Sequence, residues 1–291
     1  DVDVNGKTVN VGDTVDFTVS AAVPASAANY DVYPFTITDT ASKGLKVAET
    51  NTFKVQVDGK DVDAALYKVE QTGSAAAKSL AGKTIVVSYT GVVTKDALTG
   101  LDGSVDNKAT ITTNGGTSGE GKTESKTYGF QFKKIGVDSD ANALAGAQFV
   151  VKKKDGKFLK QDTESKAWSS VDDQTNATVF TSGADGLVQF KGLAAGDYTI
   201  METSAPSGYA QNFRVTFDVS IAENGTVTFK QDLLHQVTLP ADDQIATVKN
   251  VKSITQLPLT GAAGTTLFTV VALLVAGAGV TVAVKSRQRM H

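Results

Sequence analysis

The chain has 291 residues, a length that suggests about two domains, and 41% of its residues are hydrophobic, so a substantial core can be buried. Its net charge of −3, with 20% charged residues, gives no reason to expect the clustered basic surface that binds nucleic acid. The absence of cysteine excludes disulfides, zinc–cysteine sites and thiol nucleophiles, and with only two histidines we expect no metal site and no cofactor.

The first 250 residues have the pattern of short β-strands. Residues 14–19, 35–39 and 84–89 alternate polar with apolar side chains, as half-buried strands do. Turn pairs such as Asp58-Gly59 and Asn224-Gly225 recur between these segments. The pattern predicts an all-β chain of β-sandwiches. Because Asp1 is not preceded by a charged and then apolar leader, we also expect further residues upstream.

A stretch rich in glycine and serine divides this β region. Residues 115–121 contain no large apolar side chain, which is typical of a linker. The predicted organisation is one sandwich over residues 1–116, a second over residues 122–253, and a C-terminal segment of different composition over residues 254–291.

Four segments of the first domain resemble the Cna-A-like, or middle, domain of Gram-positive pilins; they are Val11–Val15, Phe35–Asp39 with Gly44-Leu45, Val87–Thr90 and Asn107–Ile111. The resemblance implies an Ig-like sandwich in which an aspartate assists formation of a Lys–Asn isopeptide bond. It places Asp39 as the assisting acid and Asn107 as the acceptor.

The lysine of this first cross-link is left open. The family has it on the first strand, several residues before an Asn-Gly turn, whereas Lys7 follows the Asn5-Gly6 turn. The donor is therefore either Lys7 or a residue that precedes Asp1. The alternative is that Asp39 and Asn107 are a turn residue and a strand-end residue without a cross-link.

The second domain resembles the Cna-B type domain of pilins and adhesins along its whole length. The matching segments are Phe130–Ile135 leading to Leu144–Phe149, the E-box Tyr198–Tyr209, and the last strand Thr247–Asn250. The resemblance implies a second Ig-like sandwich with a Lys–Asn isopeptide bond, in which Glu202 is the E-box acid and Asn250 the acceptor.

Strand alternation selects the lysine of this second site. Phe130 and Phe132 share one face of a strand, and the period of two places Lys134 on that face and Lys133 on the other. Burial disfavours charge on both an amine and a carboxyl group, so Lys134 can attack as a neutral amine while Glu202 shuttles protons. The alternative is a buried Lys134–Glu202 ion pair, with Asn250 capping a strand.

The C-terminal segment carries the motif Leu257-Pro258-Leu259-Thr260-Gly261, followed by the uncharged, mostly apolar residues 262–284 and a basic tail. A helix of those 23 residues is about 34 Å long, enough to cross a bilayer, and the tail favours a cytoplasmic end. The three parts resemble the LPxTG sorting signal of sortase substrates.

The sorting-signal resemblance implies the partners and the location of the protein. A sortase attacks the Thr260 carbonyl, cleaves before Gly261 and passes the acyl group to an amine of a neighbouring pilin subunit or of peptidoglycan. The transmembrane helix anchors the protein only before this cleavage, and the product stays on the Gram-positive cell surface.

Two functions remain open at this stage. The chain is expected to be a structural subunit of a sortase-assembled pilus that supports adhesion, or a monomeric wall-anchored adhesin that uses the same domains as a stalk. No Tyr-Pro-Lys pilin motif is present to decide between them, and no residue pattern identifies a host ligand. An enzyme acting on an external substrate is not supported, because neither paired carboxylates nor an activated nucleophile stands out.

Overall fold

The structure is a computed structural model that describes residues 7–31, 33–47, 53–63, 75–76, 80–113, 116–137, 142–232, 234–239 and 245–257. Within these residues the secondary structure is almost entirely β, with a few short 3-10 helices. The all-β prediction is therefore confirmed. No helix within the described ranges is both long enough and apolar enough to span a membrane, and the predicted span at residues 262–284 lies outside them.

The first sandwich has two facing sheets. One contains β1 (Thr14–Ala22), β3 (Leu45–Val47), β4 (Lys54–Val57), β5 (Lys60–Asp61) and β7 (Thr84–Val93), with β7 between β1 and the β3 and β4 strands. The other contains β2 (Pro34–Ala41), β6 (Ala75–Ala76), β8 (Gly103–Thr113) and the first half of β9 (Gly116–Gly136). Strands β2, β8 and β9 are antiparallel neighbours in this sheet.

The second sandwich is built in the same way. One sheet has the order β12-β11-β10-β15-β16-β17, with β13 on β10, and the strands are β10 (Gln148–Lys153), β11 (Phe158–Gln161), β12 (Trp168–Val171), β13 (Phe180–Thr181), β15 (Gly196–Ser204), β16 (Thr216–Ile221) and β17 (Val227–Phe229). The other joins the second half of β9 to β14 (Leu187–Leu193), β19 (Ala246–Asn250) and β18 (Val237–Thr238).

Alternation of side chains explains why these segments form half-buried strands. In β1 the odd-numbered residues from Val15 to Ala21 are buried, while the even-numbered residues are exposed or partly exposed. In β16 the buried positions are likewise every second residue. The inward side chains of facing sheets meet in the core, where Phe132 contacts Phe149 and Phe217 edge to face.

Strand β9 belongs to both sandwiches. Residues 116–127 pair with β8, and from Tyr128 onward the same strand pairs with β14 and then β19. The prediction of a linker at residues 115–121 is therefore wrong for the described residues 116–121, which are part of a strand. Pairing with β8 outweighs the weak strand propensity of glycine here, and Ile111 packs over the position of Gly119.

A short segment before β1 joins the two sandwiches at their junction. The Val11 N–H donates to the Gly192 carbonyl, and the Val11 carbonyl accepts from the Trp168 N–H. Gly12 has a φ of +101°, and a Cβ there would lie 2.6 Å from the Cβ of Ala167. Glycine is thus required at this position both by its backbone conformation and by the close approach of the second sandwich.

Candidate cross-linking sites and sorting segment

The second sandwich buries a lysine, a glutamate and an asparagine together in its core. Lys134 and Asn250 are fully buried and Glu202 is 4% exposed. The Lys134 Nζ lies 3.3 Å from Glu202 Oε1, and the Asn250 Nδ2 donates to Glu202 Oε2 at 3.1 Å. The carboxylate of Glu202 therefore contacts both the Lys134 amine and the Asn250 amide, the two groups that the sequence analysis predicts to be cross-linked.

Three strands position these groups. Lys134 lies on β9, on the same inward face as Phe132, as the alternation predicts. Asn250 ends β19, which runs parallel to β9 with Val248 opposite Lys134. Glu202 comes from β15 in the facing sheet, where its Oε2 also accepts from the Val215 N–H at 2.9 Å. The amine and the amide thus sit on neighbouring strands, with the acid across the core from them.

Burial shifts the amine of Lys134 toward its uncharged form. Burial lowers the pKa of Lys134 to about 8, against the opposing effect of the Glu202 charge and a smaller contribution from Asp232. The aromatic ring of Phe149 lies 5.5 Å from the Lys134 Nζ, which leaves the amine little access to solvent. At pH 8 about half of the Lys134 side chains would therefore carry a free lone pair.

Several polar atoms of this cluster lack a hydrogen-bond partner. Among the described side chains, Lys134 Nζ, Glu202 Oε1 and Asn250 Oδ1 are buried without one, although the first two are an ion pair. Buried polar groups normally find partners, so three such atoms in one place need an explanation. An isopeptide bond would turn the Lys134 amine into an uncharged amide N–H that needs one acceptor, and the Asn250 oxygen would remain as the carbonyl of the new amide.

The described residues of the first sandwich contain a related cluster in which no lysine takes part. Asp39 on β2 and Asn107 on β8 are brought together, and the Asn107 Nδ2 donates to Asp39 Oδ1 at 2.9 Å. The hydroxyl of Tyr89 donates to Asp39 Oδ1 and accepts from the Asn107 Nδ2. Burial raises the pKa of Asp39, opposed by the hydrogen bonds from Tyr89 and Asn107.

Tyr89 is the site residue that the sequence reasoning missed. Its ring is stacked between Phe17 and Phe53, with centroid distances of 5.4 and 5.0 Å, so the hydroxyl is held over the asparagine. Burial, together with Asp39, raises its pKa well above the usual range, so it stays a neutral donor. The alternation of β7 places Tyr89 inward, but it does not show which residues Tyr89 meets across the core.

The structure does not bring Lys7 to the first cluster. Lys7 is exposed, and its backbone carbonyl accepts from the Lys126 N–H of β9. No contact joins Lys7 to Asp39 or Asn107 in the described part of the chain, where the Asn107 Oδ1 is buried without a partner. The acid and the acceptor are therefore in place, and the described residues supply no amine for them.

The sorting segment begins against the second sandwich. Leu257, the first residue of the pentapeptide, is 3% exposed and packs in a small apolar cluster with Val251, Val137, Phe213 and Leu234. The remaining motif residues, Pro258 to Gly261, lie outside the described residues, as does the basic tail.

Two segments of the chain match models of known protein families. Residues 128–233 match the model of the SpaA prealbumin-like fold domain, and residues 249–289 match the LPXTG cell wall anchor motif. The first match begins where β9 changes sheet partners, and the second contains the predicted pentapeptide, span and tail. No curated protein matches the chain.

Solved structures of pilus proteins share the fold. The pilus 2b backbone protein of group B streptococcus is 26% identical, with a TM-score of 0.63 over 88% of this chain and 98% of that one. RrgB, the pilus protein of Streptococcus pneumoniae, has a TM-score of 0.61 at 16% identity, over 88% of this chain and 70% of that one. The protein is thus a Gram-positive cell-surface protein with a pilus-backbone fold and a cell wall anchor motif.

Proposed function

We propose that the chain is a structural subunit of a sortase-assembled pilus and supports adhesion. In this proposal an intramolecular isopeptide bond between Lys134 and Asn250 stabilises the second sandwich. The observation that carries the proposal is the buried cluster in which Glu202 contacts both groups. The same arrangement supports a protein without external enzymatic activity, since the only chemistry assigned to it is directed at its own side chains.

The bond forms by amide exchange. The Lys134 ammonium first transfers a proton to the Glu202 carboxylate, and the lone pair of the neutral Nζ then attacks the side-chain carbonyl carbon of Asn250. A 180° turn of the Asn250 amide places its oxygen where Glu202 can donate a proton to it. The carbon–nitrogen bond to Nδ2 then breaks, Glu202 carries the amine proton to the leaving nitrogen, and ammonia departs. The fold supplies the proximity that would otherwise require a bimolecular encounter.

The cross-link would stabilise the second sandwich against heat and force. It closes a loop from residue 134 to residue 250, and the chain-entropy model developed for disulfides assigns roughly 4.7 kcal/mol to a loop of about 100 residues. The bond joins β9 to β19, which lie side by side and parallel. Tension between these two strands would then pass through a covalent bond and bypass their backbone hydrogen bonds.

The strand directions suit a polymer joined end to end. Strand β9 leads from the first sandwich into the second, and β19 runs parallel to it and ends with Asn250 opposite Gly136. The chain therefore leaves the second sandwich at the end that faces away from the first. A sortase that joins Thr260 to a neighbouring subunit or to peptidoglycan would extend the protein along this direction.

For the first sandwich we propose a second acceptor site, made by Asp39 and Asn107, whose amine comes from a strand beside β9. A parallel bridge between Thr8 and Lys126, with backbone hydrogen bonds that join Lys126 to Lys7 and Val9, places residues 7–9 beside β9. Lys7 is the weaker choice of donor because it is exposed.

Two measurements test the proposed function. The intact mass of the folded protein should be lower than the sequence mass by one ammonia for each cross-link, and an unshifted mass would exclude the bond. Wall extracts of cells that express the protein should give a ladder of high-mass bands on a denaturing gel, and Thr260→Ala should abolish it. A single monomeric band would favour the wall-anchored adhesin instead.

A further inference from the structure

The first residue of the sorting motif is part of the protein core. Leu257 is 3% exposed and completes an apolar cluster at the end of the second sandwich, where the partly buried Phe213 and Leu234 contact the cluster. An enzyme that reads the pentapeptide has to contact this leucine. The side chain cannot be inside the cluster and inside the cleft of an enzyme at the same time.

The short reach of the docked motif adds a second obstacle. Thr260 follows Leu257 by three positions, and a fully extended chain of that length spans about 10 Å. While Leu257 is docked, the Thr260 carbonyl therefore stays within about 10 Å of the sandwich surface. If Leu257 is released, the nearest core anchor is Val251, which is 1% exposed, and nine residues reach about 30 Å.

The residues between the two anchors form a closed turn. The Lys252 N–H donates to the Gln256 Oε1 at 2.7 Å, and the Gln256 N–H donates to the Ser253 carbonyl at 3.2 Å. The carbonyl of Val251 also accepts from the Ala210 N–H, so the turn starts from a fixed point. Gln256 thus holds the turn that delivers Leu257 to its cluster, without itself being part of the motif.

We propose that Phe213, Leu234 and Gln256 are positioning residues for the sortase reaction, because they hold Leu257 in a docked state from which it must be released before cleavage. This inference rests on the proposed sortase reaction at Thr260. Full burial of one leucine side chain shifts a two-state equilibrium by roughly tenfold to a hundredfold. Because the sortase binds only released chains, its apparent Kd equals the intrinsic Kd divided by the fraction of chains that are released. The chemical steps that follow binding are unchanged.

The test measures steady-state cleavage of the full chain, held in detergent, by a purified sortase with a soluble amine as acceptor. Leu234→Ala and Gln256→Ala should each lower KM by about fivefold to tenfold at unchanged kcat, while Leu234→Met should keep the KM of the unmodified chain. Hydrogen exchange at residues 254–257 should rise in the two alanine variants.

Three controls separate the outcomes. Leu98→Ala changes a partly buried leucine of the first sandwich, near Gly192 at the junction with the second, and it should leave KM unchanged; an equal fall in KM there would overturn the proposal. A peptide of residues 252–262 should have a lower KM than the full chain, with or without the Gln256→Ala change. Unchanged KM in both alanine variants would also overturn it, whereas failure to cleave the peptide as well as the full chain would refute the sorting function itself.

Discussion

Replacing Glu202 by glutamine tests the cross-link chemistry with little change in shape. Glutamine keeps a carbonyl oxygen that can accept from the Val215 N–H, but it cannot shuttle a proton between Lys134 and Asn250. We expect Glu202→Gln to fold and to leave the amine and the amide unjoined. Its intact mass should equal the sequence mass, while the unmodified protein should be lighter by one ammonia.

The stability loss has two parts that can be separated. Loss of the cross-link removes roughly 4.7 kcal/mol. Loss of the Glu202 charge leaves the fully buried Lys134 without its partner, and breaking one side of a buried ion pair costs about 3–5 kcal/mol. Lys134→Met with Glu202→Gln removes the cross-link and both charges, so it should lose only the first part.

The assay is thermal unfolding at pH 6, combined with the intact mass. For a domain of this size 1 kcal/mol corresponds to roughly 3–5 °C, so the double variant should melt about 15–20 °C below the unmodified protein. Glu202→Gln alone should melt lower still. The order of the three melting temperatures is the discriminating result.

The reasoning would be refuted by either of two results. One is a Glu202→Gln mass that still shows the loss of one ammonia, because the acid would then be unnecessary for the reaction. The other is an unmodified protein whose mass equals its own sequence mass and whose melting temperature matches that of the double variant. In that case the cluster would be a buried ion pair without a covalent bond.

Three further outcomes follow from the geometry. Asn250→Ala keeps Lys134 as a free amine with its pKa lowered to about 8, so above that pH the unfolded state binds more protons than the folded state. The free energy of unfolding, measured in urea titrations, should therefore rise by about 3 kcal/mol between pH 8 and 10.5. Adding Lys134→Met should remove this pH dependence. Gly12→Ala should cost about 1–3 kcal/mol in denaturant unfolding, and Gly59→Ala, which has a positive φ but open space around it, about 1 kcal/mol; equal losses would contradict the close approach at the junction. Tyr89→Phe should lower stability by about 1–3 kcal/mol in the same assay, because the hydroxyl joins two buried polar side chains, and an unchanged midpoint would contradict that role.

The residues of the second cross-linking site could largely be predicted from local sequence patterns. The period of two along β9 distinguishes Lys134 from Lys133, and the burial of the first and exposure of the second follow from it. The E-box and the terminal Thr247–Asn250 strand identified Glu202 and Asn250 by resemblance. Their meeting across the core is a property of the sandwich, because the acid comes from the facing sheet.

The first site was harder to predict for the same reason. Asp39 and Asn107 were selected by resemblance, but Tyr89 lies in a different sheet, and nothing in its local sequence marks it as their partner. Long-range contacts of this kind depend on how sheets pack, which the alternation of one strand does not specify.

By itself, the sequence determined the all-β class, the inward face of each strand and the order of pentapeptide, span and tail, because these depend on neighbouring residues and on composition. Only the tertiary structure decided that the Gly-rich residues 116–121 continue a strand shared by two sandwiches, and that Leu257 is buried in the core. The Gly-rich segment is held by its neighbouring strand β8, and Leu257 is held by Phe213 and Leu234, which are distant in sequence. The free energy of those contacts exceeds the weak local preference of the chain.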